Sequence, residues 1–206
     1  MIVDTHEIGV DEAGRGPLIG RVYAAAVYFG DSTPPKDIII TDSKKMSRTQ
    51  RQKSYEWIIN NTKDYYVAFA EPYEIDNINI LQATRLAMNR AISGIKENNL
   101  YDAKTIVIDG PRWENKFEDF KKYNVQIKSV IGGDSKHLSI AAASIIAKEE
   151  HDRYIRDLCI QNEYLNDKYD LLNNMGYGTK KHLEGIKKYG ISPFHRSSFK
   201  PCNNKI

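Results

Sequence analysis

Cysteine is nearly missing from this chain of 206 residues: Cys159 and Cys202 are the two it has. Two isolated thiols make neither a metal-ligand spacing nor a disulfide framework, so a disulfide-stapled secreted domain is excluded. A reducing compartment, the cytoplasm, is the expected location. No apolar run approaches the length of a membrane span. Met1-Ile2-Val3 is followed at once by Asp4, His6 and Glu7, which does not read as a cleavable leader. No internal repeat is visible, and no low-complexity linker beyond the short turn at Pro34-Pro35. A dominant charge is missing as well. Thirty Lys and Arg face 27 Asp and Glu, and a net charge of +3 does not by itself demand a polyanionic partner.

What is present is an ordinary globular composition, 41% hydrophobic and 28% charged, in a length that suits one domain. The basic residues are unevenly spread. Residues 179–206 hold Lys180, Lys181, Lys187, Lys188, Arg196, Lys200 and Lys205 against Glu184 alone. Residues 36–53 hold six Lys/Arg against Asp37 and Asp42. Either stretch suits phosphate contact, and either alone reads equally well as a solvated face.

Apolar patterning predicts strands over 8–11, 22–29, 65–70, 105–109 and 125–131. It predicts helices over 48–61 with Ser47 as N-cap, 79–98, 138–158, about 162–173, and 179–189. The second helix would bury Ile80, Ala83, Ala87, Met88, Ala91, Ile92 and Ile95. Strands first, then strands alternating with helices, give an α/β layer fold with a mixed sheet.

On this map the acids fall at strand ends. Asp11 ends the first strand and Asp109 ends "TIVID". Asp134 follows the strand at 125–131, past Gly132-Gly133 and just before a long helix. Ligand sites of open α/β sheets lie beyond strand ends. Glu12 adds a fourth carboxylate. Neighbouring strand residues face opposite ways, so the chain is expected to bend at Asp11-Glu12, with Gly14 and Gly16 permitting the bend. For any one Asp alone a plain turn or helix cap is the better reading; three strand ends together weaken it considerably and favour a site. Converging carboxylates call for a hard divalent cation, Mg²⁺ or Mn²⁺, and two ions about 3.5–4 Å apart would serve a phosphodiester displacement. A dinucleotide-binding reading of Gly14, Gly16 and Gly20 fails. Pro17 interrupts, a strand follows, and two acids would repel a pyrophosphate.

Seven segments, in order, resemble ribonuclease HII: DEAGRGP (11–17), DSKKMS (42–47), NILQAT (79–84), IDG (108–110), GDSKHLSIAAASIIAK (133–148), GYGTKKH (176–182) and HRSSF (195–199). The resemblance implies an RNase H-like fold, with a catalytic part over 1–158 and a small helical C-terminal region over 159–206 in one compact unit. It implies endonucleolytic cleavage of RNA paired with DNA, and incision 5′ to single ribonucleotides embedded in duplex DNA, leaving 3′-hydroxyl and 5′-phosphate. It assigns catalysis and metal binding to Asp11, Glu12, Asp109 and Asp134. It assigns the ribose 2′-OH to the backbone of Gly14-Arg15-Gly16, and the following deoxyribose to Tyr177. Ser43 and Lys44 fall in a motif associated with phosphate contact, and Lys180, Lys181, His195 and Arg196 are further substrate-binding candidates. His182 and His195 read equally well as structural hydrogen-bonders, and the "AAAS" run as a close helix–sheet contact.

The chain departs from the family pattern at Gly132, at Arg21 and at His151, where "RD" is usual. No clamp-binding peptide is evident in "FKPCNNKI", no protein partner is expected, and a monomer is the simplest state. Two alternatives stand beside this reading. Ribonuclease HIII usually carries a preceding domain and a lysine in the glycine loop, where this chain has Arg15. A non-catalytic nucleic-acid binder would be weakened by four acids facing phosphate.

Overall fold

A computed structural model describes residues 1–113 and 115–203. Lys205 and the end of the C-terminal tail lie outside the described residues. Five strands form one sheet: β1 (Glu7–Ala13), β2 (Val22–Tyr28), β3 (Asp64–Ala70), β4 (Thr105–Asp109) and β5 (Gln126–Val130). Their order is β3-β2-β1-β4-β5. The first three strands pair antiparallel, whereas β1, β4 and β5 run parallel. This is the mixed α/β sheet that the alternation of elements predicts.

The helices are α1 (Arg48–Asn61), α2 (Pro72–Gly94), α3 (Glu97–Asp102), α4 (Leu138–Gln161), α5 (Tyr164–Tyr169), α6 (Leu171–Asn174) and α7 (Lys180–Tyr189). Ser47 caps α1 in a reciprocal box with Gln50, as its sequence signal implies. Helix α2 covers one sheet face through Ala87, Met88, Ala91 and Ile92, against Ile8, Val10, Ala24 and Ala26. Helix α4 covers the other through Ala141, Ala142 and Ile145, against Ala25 and Val27. Further along, α4 carries Ile155, Leu158 and Cys159 into a third cluster with Leu165, Tyr169 and Ile186. One helix thus crosses from the sheet into the C-terminal helices, so the two regions share a core element. Among the described residues no helix is long and apolar enough to cross a membrane.

Three expectations are corrected. The chain does not bend at Asp11-Glu12: β1 stays paired with β2 through Ala13↔Tyr23, and the turn comes at Gly14, where φ is +86°. Helix α2 is two helical segments joined at Asn79, which leaves the helical region (φ 66°, ψ 163°) and whose side chain accepts the Leu81 and Gln82 N–H groups. The expected start at 79 is the start of the second segment. A first segment, not foreseen, begins at Pro72 behind the capping box of Glu71 and Glu74, and the helix ends at Gly94, not 98. The segment 162–173 is two short helices, since Asp170 takes a left-handed φ of 57° between them.

Gly9 sets how closely α4 approaches β1. A methyl group there would stand 2.1 Å from the Ser139 carbonyl carbon and 2.3 Å from the Ile140 nitrogen. Both are backbone atoms of α4, so no side chain can swing away. Gly9→Ala is expected to lower stability by about 3 kcal/mol or more, a drop of roughly 6–12 °C in Tm. A melting temperature within a degree or two of the parent would show that α4 can lift without loss.

Candidate active site

The pairing of β1 is asymmetric at its end. On the β2 side it continues to Ala13, but on the β4 side it stops at Val10↔Ile108. Beyond that point the β4 side of β1 is open, at the carboxyl ends of the parallel strands, where the chain leaves β1 towards β2 on the other side. This is a topological switch point, the usual place for a ligand crevice. Asp11 shares the α4 face with Gly9, and Glu12 lies on the other face, as the pleat requires. Both still interact with Asp109 at the end of β4. Asp134 sits in a 3₁₀ turn (Gly133–Ser135) ahead of α4, and it too interacts with Asp109. Asp109 anchors that turn by accepting the Gly133 N–H at 2.7 Å. The four predicted carboxylates are therefore brought together, with Asp109 interacting with each of the other three.

They converge at an electrostatic cost. Burial, then Glu12 and Asp109, push the Asp11 carboxyl well above its ordinary range, against bonds from the Glu12 N–H and the Ser144 hydroxyl. Burial raises Glu12, and Arg15 opposes this with a contact of 3.1 Å. Burial, then Asp42 and Asp109, raise Asp134. The Lys44 ammonium acts on both Glu12 and Asp134 in the favourable sense. Among the described residues no three His, Cys, Asp or Glu side chains already stand as ligands round one ion. The donor set nevertheless fits a hard cation. It is all carboxylate oxygen, and its members repel one another in a desolvated crevice, a repulsion that a divalent ion removes.

Two loops flank the acids. The first is the glycine loop after β1, and Arg196 organises it. The Arg196 side chain donates to the carbonyls of Gly14 (2.6 Å), Arg15 (3.0 Å), Pro17 (2.8 Å), Gly20 (2.8 Å) and Arg21 (2.9 Å). It is fully buried, and burial lowers its pKa to about 10. Arg196 is therefore corrected from a substrate-contacting side chain to the internal support of this loop. The second is the GYG loop. Leu18 N–H donates to the Gly176 carbonyl at 2.8 Å, and a methyl at Gly16 would stand 3.2 Å from the Tyr177 ring. Tyr177 is 42% exposed, and the Lys148 ammonium lies 5.8 Å from its ring centre.

Ser43 is also corrected. Its side chain is buried and meets the Ser144 hydroxyl at 2.9 Å, so it supports the residue that bonds Asp11 and does not face solvent. Lys44 is exposed beside the acids. Lys180 is exposed too, 3.9 Å from Glu184. His182 and His195 are buried and bonded to each other. His151, the departure on α4, is buried against Gly14; its Nδ1 meets Asp152 at 3.0 Å and its Nε2 has no partner. Asp42, Ser144 and Lys148 are the site residues that sequence reasoning missed. Asp42 heads the segment chosen for Ser43 and Lys44, and Ser144 is the polar end of the small-residue run.

The ribonuclease HII family model matches residues 8–202. The chain belongs to the ribonuclease HII family. A ribonuclease HII from Staphylococcus carnosus is 43% identical over 208 residues, covering 96% of this chain and 69% of its own. The ribonuclease H2 crystal structure from Pyrococcus horikoshii superposes with a TM-score of 0.73 at 26% identity, over 96% of this chain and 95% of that one. A Bst-RNase HIII structure in complex with Mn²⁺ shares the fold, with a TM-score of 0.65 at 20% identity over 96% and 68% of the two chains. As a ribonuclease HII this chain is a nuclease acting on nucleic acid, in a metal-dependent family.

The burial of the Asp11 charge, and its repulsion from Glu12 and Asp109, make a stability prediction. An amide there keeps the acceptor oxygen, loses the charge and offers NH₂ donors to the acids around it. Asp11→Asn should raise Tm in the absence of divalent ions, because it removes a buried charge, while abolishing cleavage. A folded variant melting at or below the parent would mean that this crevice stores no such repulsion.

Proposed function

We propose that this protein hydrolyses the RNA strand of RNA/DNA hybrids and incises duplex DNA on the 5′ side of single embedded ribonucleotides. The observation that carries the reading is how Arg196 turns the glycine loop. Across a planar trans peptide the C=O and the next N–H point opposite ways. Drawing the Gly14 and Arg15 carbonyls inward therefore turns the N–H groups of Arg15 and Gly16 outward, on a stretch where both residues are exposed. Two outward amides beside a carboxylate crevice suit the 2′-OH, the group that separates RNA from DNA. Glycines at 14 and 16 leave room for the minor groove. Tyr177, whose ring lies beside Gly16, would face the next sugar, where a flat ring disfavours a second ribose.

Asp11, Glu12, Asp109 and Asp134 would hold two Mg²⁺ or Mn²⁺ ions, which would supply the charge that activates water and stabilises the departing 3′-oxygen, giving 3′-hydroxyl and 5′-phosphate. The chain's own part is to desolvate and aim those carboxylates, Asp11 through Ser144 and Ser43, Glu12 through Arg15. Lys44 and Lys180 would meet phosphates. All these groups come from one chain, so a monomer suffices, and the setting is the cytoplasm.

One assay tests the reading: cleavage of a single-ribonucleotide duplex, a long RNA/DNA hybrid and an all-DNA duplex, with and without Mg²⁺ or Mn²⁺. The first two should be cut and the third spared. Preference for the hybrid with no incision at the single ribonucleotide would favour a ribonuclease HIII-like activity. Asp109→Asn should abolish turnover with the fold intact; near-normal cleavage at saturating Mg²⁺ would remove Asp109 from the catalytic set. The basic residues are checked separately by binding. Lys44→Ala and Lys180→Ala should each weaken affinity similarly across sequences and reduce the salt slope by about one unit. Unchanged salt dependence in both would return them to the solvated surface.

A further inference from the structure

We propose that His195 and His182 are positioning residues that hold Tyr177 through a one-way chain of buried hydrogen bonds. This rests on the reading of Tyr177 as the side chain that faces the substrate sugar. The chain begins at Ser192, whose backbone N–H donates to His195 Nδ1 at 2.9 Å, with the Ser192 hydroxyl at 2.8 Å from the same nitrogen. His195 Nε2 meets His182 Nε2 at 3.1 Å. His182 Nδ1 meets the Tyr177 carbonyl at 3.0 Å. His182 is 0% and His195 3% exposed, so no solvent stands in for a missing partner.

The two ends decide every proton between them. A backbone N–H can only donate, so His195 Nδ1 is an acceptor and the proton of the neutral ring sits on Nε2. That N–H points at His182 Nε2, which must therefore accept. The proton of His182 is then on Nδ1, and it donates to a carbonyl that can only accept. One arrangement satisfies all the links. An extra proton on either ring would set two N–H groups face to face or turn a donor on Ser192. Burial and the neighbouring ring lower the pKa of His195 to about 3, and burial lowers that of His182, so both rings stay neutral.

The chain matters because of where it starts. His195 adjoins Arg196, and their segment is tied to the glycine loop by the Arg196 N–H to the Leu18 carbonyl (2.8 Å) and the Gly20 N–H to the Phe194 carbonyl (2.9 Å). Two consecutive residues thus secure two different loops, Arg196 the glycine loop and His195, through His182, the backbone of Tyr177. The gap between Gly16 and the Tyr177 ring is set by this shared origin. Tyr169 packs edge-on to His195 with ring centres 4.7 Å apart, and its hydroxyl donates to the Gly190 carbonyl, which fixes the rings from the side.

The first test needs no variant. Long-range ¹H–¹⁵N correlation spectra of the wild type report each imidazole tautomer. His195 should carry its proton on Nε2 and His182 on Nδ1; any other pairing overturns the proposal. The second test is kinetic and uses single-ribonucleotide and long-hybrid substrates. His182→Phe keeps a ring and loses the bonds. It should lower kcat/KM on the single-ribonucleotide duplex by up to about ten-fold, the worth of one neutral hydrogen bond, and affect the hybrid much less. His182→Asn, with an amide near the position of Nδ1, should restore most of the loss. Combining His182→Phe with Tyr177→Ala should be no worse than Tyr177→Ala alone, because both changes remove the same contact. Independent, multiplying losses, or a folded His182→Asn no better than His182→Phe, would refute positioning through Tyr177. Should Tyr177→Ala itself lose equally on both substrates, the sugar-facing reading falls, and the tautomers and the double variant still decide the chain of bonds.

Discussion

The guanidinium of Arg196 is the interaction on which the rest of the site depends. A charge with no exposed surface is costly unless its donors are satisfied. Here the partners are the carbonyls of Gly14, Arg15, Pro17, Gly20 and Arg21, all from one loop. A loop so short has few ways to aim five carbonyls at one point. Satisfying the arginine therefore sets the loop's shape, and that shape turns two amides outward beside the acids. The same segment's His195 reaches the other loop. On the proposed reading, substrate recognition would be built from a buried cation and backbone, with few free side chains.

The acids place an opposite demand on the fold. Asp11, Glu12 and Asp134 are each held where the charged form is disfavoured, opposed by Arg15 and Lys44 and, at Asp11, by the Glu12 N–H and the Ser144 hydroxyl. Such a crevice persists only if the surrounding structure is stable enough to impose it. The close seat of α4 on Gly9 supplies part of that stability. A largely buried ionic network links neighbouring elements: Arg51 pairs with Glu149 and Asp152, Lys148 with Asp152, and Arg51 also donates to the Ser43 carbonyl. This network ties α1, α4 and the turn bearing Lys44 together beneath the acids.

Much of this was legible in the residues. Strand ends could be read from short apolar runs stopped by glycine, so Asp11, Asp109 and Asp134 could be placed at one end of a sheet before any coordinates. The helix cap at Ser47 follows from local chemistry, a hydroxyl bonding the backbone three residues on. The bend expected at Asp11-Glu12 failed because its reasoning was local. The pleat does send the two acids to opposite faces, but the β4 side of β1 opens one residue earlier, and both reach Asp109 without a bend. That opening is a property of strand pairing and leaves no mark in the sequence.

Burial was the other thing hidden. Arg196 lies in a basic stretch with Lys180 and Lys181 and looks like them in the sequence, yet it is fully buried while Lys180 stands in solvent. Ser43 and Lys44 are neighbours, and one faces Ser144 while the other faces the acids. Local sequence determined which segments are strands and helices and which residue types stand at their ends, because those depend on periodicity and capping within a few residues. Which basic side chain supports a loop and which is left in solvent was decided by tertiary structure alone, because a charge is buried only where distant backbone supplies its partners.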